Sequence, residues 1–176
     1  MRVITAVENY ELDDNEVVVF LAGGITNCPN WQENVINELR SSEDALENLV
    51  IINPRRENFP IEDPNAGKDQ ITWEFNALEA CDIFSMYYCD APSDQPICMY
   101  ELGRNIYKKS EEDESYEKRI VITCEKGYKR RGDVEIQTEL ATKGKVSVNV
   151  VDGTGYYSHA NAIIESYKYL NSLING

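Results

Sequence analysis

Short runs of β-branched and aromatic residues alternate with stretches in which apolar side chains recur every three or four positions. The runs are Val17–Ala22, Leu49–Ile52, Ile83–Tyr88, Ile120–Cys124 and Val146–Val151. Each is nearly continuous in apolar character, as expected of strands buried on both faces. Between them the spacing predicts helices over Trp31–Leu39, Asp69–Cys81, Pro96–Lys108, Asp133–Thr142 and Tyr157–Leu173. Five strands, each followed by a helix, predict a single α/β domain built on a five-stranded parallel sheet with helices on both sides. Each crossover should be right-handed.

Some finer expectations follow. Within Asp69–Cys81, Ile71, Phe75 and Leu78 are spaced to form the buried stripe, with Glu74 at its flank. Pro96 suits a first helical turn, where a missing N–H costs little. Phe59–Asp69 is a Pro- and Asp-rich loop, and Lys108–Arg119 reads as a solvated, charged connection. Residues 1–15 fall outside the predicted sheet, as an arm free to be flexible. His159 is expected on the surface, just before the last helix.

Charge narrows the classes of function. Among 176 residues, 31 acids face 17 bases, a net charge of −14. Such a surface repels phosphate backbones, so nucleic acid is not an expected partner. No run approaches the ~18 apolar residues of a membrane span, and the first residues lack the apolar core of a signal peptide. A cytoplasmic location is the expectation. Five scattered cysteines without a CxxC pair read as reduced, mostly buried thiols. A single histidine cannot supply a histidine-based metal site, and no nucleophile motif lies near it. No metal or cofactor is expected, and carboxylates are left to carry any chemistry.

In open parallel sheets, ligands sit beyond the carboxyl ends of the strands. Three segments there are rich in turn, polar and aromatic residues. The first, AGGITNCPNW, places Gly23, Gly24, Ile25 and Thr26 in a turn that permits close backbone approach, and ends at Trp31. It is not GxGxxG, so a dinucleotide fingerprint is absent. The second, NPRR, puts Asn53, Arg55 and Arg56 at a rim, where the arginines either bind an anion or pair with Glu57 and Glu62. The third, DAPSDQPICMYELGR, carries Asp94 before a helix and Glu101 in its second turn. From the residues alone, these two are equally an Asp cap and a Glu101–Arg104 surface pair.

FLAGGITNCPNWQ, INPRR, QITWEFNALEACDIF and QPICMYELGR together resemble the nucleoside 2-deoxyribosyltransferase family, in order and at plausible intervals over residues 17–125. The resemblance implies a flavodoxin-like, Rossmann-like fold. It implies a glutamate nucleophile in the ELG segment, Glu101, and a supporting acid on the second helix, Glu74, where aspartate is more usual. It implies a further acid ahead of the nucleophile helix: Asp94 by closest match, Asp90 otherwise. It also implies a homo-oligomer in which a neighbouring subunit completes the pocket.

The expected substrates are a nucleoside or nucleotide and a nucleobase. Glu101 would attack the anomeric carbon, Glu74 or Asp94 would protonate the departing base, and a second base would collect the sugar with retention. Trp31, Trp73 or Tyr88 would stack on the base. A 5′-phosphate would engage Arg55 or Arg56. Water in place of the second base would make the protein a hydrolase, and binding without turnover would make it a nucleotide sensor or sponge.

Overall fold

The computed structural model describes residues 1–175. Its strands are β1 (Arg2–Thr5), β2 (Val17–Gly23), β3 (Leu49–Asn53), β4 (Ile83–Tyr88), β5 (Ile120–Glu125) and β6 (Asn149–Val151). Its helices are α1 (Trp31–Ser41), α2 (Ala66–Ala80), α3 (Pro96–Glu112), α4 (Arg131–Thr142) and α5 (Tyr156–Asn175). All strand pairs are parallel, in the order β1-β3-β2-β4-β5-β6. The predicted α/β sandwich is therefore present, with six strands rather than five.

β2 is central: Val19 lies beside Ile51 of β3 on one side and Ile83 of β4 on the other. The chain leaves β2 for β3 on one side, then crosses to β4 on the other. Loops diverge at such a switch point and leave a crevice above it. Alternation sorts the core into two layers. Val17, Val19 and Leu21 pack under α1 and α5, against Trp31, Val35, Ile163 and Tyr167. Val18, Phe20 and Ala22 pack under the opposite layer, against Ala77, Leu78, Leu102 and Val134.

The sixth strand comes from the presumed arm. Arg2–Thr5 extends the sheet edge beside β3. Arg2 holds Glu16 through two hydrogen bonds of 2.8 and 2.7 Å. Glu8 accepts a 2.8 Å bond from Trp73 Nε1 through its carbonyl. A four-residue edge strand with one exposed face carries too little pattern to be seen from sequence.

Three other expectations are corrected. Ile71 and Phe75 of α2 are 69% and 51% exposed. The inward face of that helix runs one position earlier, through Gln70, Trp73, Glu74 and Ala77, joined by Leu78. The charged stretch Lys108–Arg119 is largely helical, shared between the end of α3 and a 3-10 turn over Tyr116–Arg119: Lys108 Nζ donates to the Glu79 carbonyl at 2.7 Å and Lys109 Nζ to that of Cys81 at 2.6 Å. These lysines satisfy carbonyls at the end of α2, where a helix leaves acceptors free and favours cations. His159 lies inside α5 and is fully buried, bonded to Ser85 Oγ at 2.7 Å and Thr123 Oγ1 at 2.8 Å. Among the described residues, no helix is long and apolar enough to cross a membrane.

Candidate active site

A cleft of about 240 Å³ opens at the switch point, over the carboxyl ends of β2 and β4. Phe20 and Ala22 form its floor, and Gly23–Thr26 one wall. The first turns of α3 form the other wall through Pro96, Ile97, Cys98 and Glu101, while Pro54, Glu74, Ser93 and Gln95 close the rim. Its walls are mainly apolar with few polar groups, the usual make-up of a small-molecule site.

The glycine turn is required by crowding. A Cβ on Gly23 would lie 2.5 Å from both the Trp31 ring and the Tyr87 carbonyl. One on Gly24 would strike Cys28 Sγ and the Gln95 amide. Two side chains then hold the loop from outside the cleft. Trp31, fully buried and stacked on Tyr87 at 5.0 Å, donates from Nε1 to the Gly24 carbonyl at 3.0 Å. Arg55 donates from one terminal nitrogen to the carbonyls of Ile25 at 2.7 Å and Cys28 at 3.1 Å.

Two carboxyls meet across the cleft. Glu101 projects from the second turn of α3, and no hydrogen bond or ion pair reaches its carboxylate among the described residues. Arg104, nearly one turn on, does not lock it: that guanidinium is paired with Glu79 and lies 4.3 Å over the Phe75 ring. Burial pushes the Glu101 carboxyl up to about 7, the charge of Glu74 adds to this, and Arg104 partly opposes it. Burial also raises Glu74, against a hydrogen bond from Gln70. That bond, from Gln70 Nε2 to Glu74 Oε1, is 2.8 Å. Gln70 Nε2 also donates to the Pro54 carbonyl at 3.1 Å, so the amide fixes the Glu74 carboxyl against the loop after β3. Two carboxyls that each resist ionisation beside one another titrate as a pair, which can hold a single proton between them.

The other expected site residues lie elsewhere. Asp94 is not brought into the cleft: its carboxylate is 67% exposed and paired with Lys129. Its closeness in sequence misleads because Gln95 takes a left-handed turn (φ 47°, ψ 51°) between it and the helix. Asp90 borders a separate hollow with Glu125, Gly127 and Asp152. Trp31 and Tyr88 are core residues without a face on the cleft; the Tyr88 hydroxyl donates to the Cys98 carbonyl in the first turn of α3 at 3.1 Å. Trp73 packs edge-on to Tyr10 at 6.0 Å and ties down the first loop. Asn53, Arg55 and Arg56 line a neighbouring surface hollow of about 710 Å³ that shares Ile25 with the cleft. Asn53 Oδ1 accepts from the Arg55 amide at 3.0 Å, and Arg56 stacks 5.5 Å over Phe59. Neither arginine pairs with Glu57 or Glu62.

Gln70 and Gln95 were not anticipated. Gln70 stands four residues before Glu74, a spacing that aligns two helical side chains and was available as a signal. Nothing local marks Gln95, because its place depends on Cys89 and Gly24. Among the described residues, no cluster of three or more metal-ligating side chains exists.

The family model described as nucleoside 2-deoxyribosyltransferase like matches residues 16–128, which spans β2 to the loop after β5 and includes every cleft residue. No curated protein matches the chain.

Proposed function

Because the chain belongs to the nucleoside 2-deoxyribosyltransferase-like family, a sugar-transferring or glycosidase-like role is supported, and we propose a transferase working through a covalent glutamyl-sugar ester. The observation that carries this reading is the unpaired, desolvated carboxyl of Glu101 on the cleft wall, facing Glu74. The ionised Glu101 oxygen attacks the anomeric carbon. The bond to the base breaks with its electron pair on the base, and a proton from Glu74 neutralises that nitrogen. The base leaves and a second base enters over Gly23–Thr26; its nitrogen gives its proton to Glu74 and attacks the anomeric carbon from the vacated side, as the ester bond breaks and returns the Glu101 carboxylate. The net result is retention.

The experiment supplies a deoxynucleoside with and without a second base and identifies the products. A new nucleoside establishes transfer, free sugar alone establishes hydrolysis, and tight binding without cleavage establishes a sensor. The pH dependence adds a signed prediction. The pair must keep one proton, so the rate should fall above an apparent pKa near 7, where Glu101 loses its proton beside an already charged Glu74. Glu74→Gln leaves Glu101 to titrate without that charge, so the rate should instead rise with pH through a pKa below 7, at a level ~10²–10⁴-fold lower from loss of the acid. Arg104→Met removes an opposing charge, so the native fall should move to higher pH.

The reading extends to assembly. Ile71, Phe75, Ile97 and Tyr100, all more than half exposed, stand on α2 and α3 beside the cleft. A second copy of the chain would bury them and wall the open side of the site. Light scattering should then give a dimer or larger, and Tyr100→Glu should lower the mass.

A further inference from the structure

We infer that Gln95 reads the base, and that the cleft selects a nucleobase presenting an N–H or NH₂ donor on the edge that meets Gln95 Oε1. This rests on the nucleoside chemistry proposed above and specifies which bases it admits.

Gln95 is 3% exposed, yet its Oε1 has no hydrogen-bond partner among the described residues. The orientation of the amide is determined. Nε2 lies 2.9 Å from the Cys89 carbonyl, which can only accept. Oε1 therefore faces the other way, toward Gly24, where an added Cβ would lie 2.7 Å from it. Gly24 and Gln95 both line the cleft. Gln32 and Asn105 also bear unpaired buried atoms, but neither borders the cleft.

The setting is built around this side chain. Gln95 holds a left-handed conformation that non-glycine residues rarely adopt, immediately ahead of Pro96. Such backbone persists where surrounding structure imposes it, and it concentrates at ligand sites. Glycine at position 24 leaves the space the amide occupies. The outcome is a buried acceptor, anchored at its nitrogen end, on the wall shared with the glycine turn. A donor on the ligand would satisfy it. A base offering only a lone pair there would be repelled. Since an amide has no proton to give at this place, Gln95 selects the base and does not protonate it.

The test compares bases that differ by one donor: deoxyadenosine with purine deoxyribonucleoside, deoxycytidine with its 4-deamino analogue, and thymidine with its 3-methyl form. Binding to Glu101→Gln is read by calorimetry, and cleavage by the native enzyme is read as kcat/KM. At least one donor-bearing member should be favoured by ~10–100-fold, the usual cost of stranding a buried acceptor. Gln95→Met should level that pair. A crystal structure of Glu101→Gln with the favoured nucleoside reads the contact without altering Gln95: a base nitrogen should lie within ~3.2 Å of Oε1. Equal use of every pair, a preference that survives Gln95→Met, or a bound base with no N–H at Oε1 would each overturn the assignment. Cleavage without donor dependence defeats the base-reading role and leaves the glycosyl chemistry intact. Donor-dependent binding without cleavage defeats the chemistry and leaves the base-reading role.

Discussion

Glu101→Gln is expected to abolish turnover, by ~10⁴-fold or more, and to make the protein harder to unfold at pH 8. The two effects share one cause. A carboxylate on the cleft wall without a hydrogen-bond donor is poorly solvated, which keeps its oxygen reactive and makes ionisation costly. Its folded pKa of about 7 lies above the ordinary 4.5. A carboxyl raised in this way is favoured by folding while protonated. Its contribution is lost as pH climbs from about 4.5 through 7, and the loss is complete above that. The gap corresponds to ~3 kcal/mol at pH 8. The neutral amide avoids this cost, so Glu101→Gln should melt several degrees higher than the native protein at pH 8 and level with it at pH 4. Thermal unfolding at both pH values, beside a transfer assay, checks the pair of effects. A variant that is inactive but no more stable at pH 8 would mean that Glu101 is solvated in the free enzyme. Full retained turnover would remove Glu101 from the mechanism.

Acid should unfold this protein through His159. The imidazole is buried between Ser85 and Thr123 and edge-on to Tyr87 at 5.3 Å and Trp31 at 6.0 Å. Its two hydrogen bonds suit a neutral ring: one nitrogen donates to a hydroxyl and the other accepts from one. Burial depresses its pKa from 6.5 to about 3. The unfolded chain therefore binds a proton below pH 6.5 that the folded chain refuses until about 3. Stability is fully present above pH 6.5 and falls toward acid, with a slope approaching ~1.4 kcal/mol per pH unit. Glu101 acts in the opposite direction between pH 7 and 4.5 and masks part of the fall. The His159 contribution is thus best read in the Glu101→Gln background, by denaturant unfolding at pH 6.5, 5.5 and 4.5. A stability that stays level over that range would show that the ring can take up a proton in the folded state. His159→Gln in the same background should flatten the curve. It should also lower stability at pH 7, since His159 links α5 to β4 and β5.

Much of this architecture was legible from local pattern, and the exceptions share a cause. Apolar runs located β2 to β5, because strands covered on both faces must be apolar throughout, and a further run located the edge strand β6. The glycine turn after β2 stood out for a local reason, a backbone that must come close, whereas Glu101 was singled out only by the family resemblance, since local pattern left it equally a surface partner of Arg104. α2 shows where that reasoning ends. An apolar stripe through Ile71 and Phe75 is sound if every inward position meets the core. Here Gln70 and Glu74 turn inward, because a crevice, not a core, lies beneath that part of the helix. His159 was misplaced for the complementary reason: its partners, Ser85 and Thr123, sit 74 and 36 residues away. The same holds for Asp94 and Gln95. Adjacent in sequence, they part because Gln95 itself is left-handed: Asp94 goes to Lys129 and Gln95 into the cleft.

Periodicity and turn chemistry therefore suffice for the order of the elements from β2 onward, the parallel sheet and the position of the cleft, since each follows from burial acting on neighbours along the chain. The pairing of Glu101 with Glu74, the diversion of Arg104 to Glu79 and the stranded oxygen of Gln95 arise from contacts between distant segments. A carboxyl's affinity for its proton depends on which groups surround it in space, and that arrangement exists only once the chain has folded.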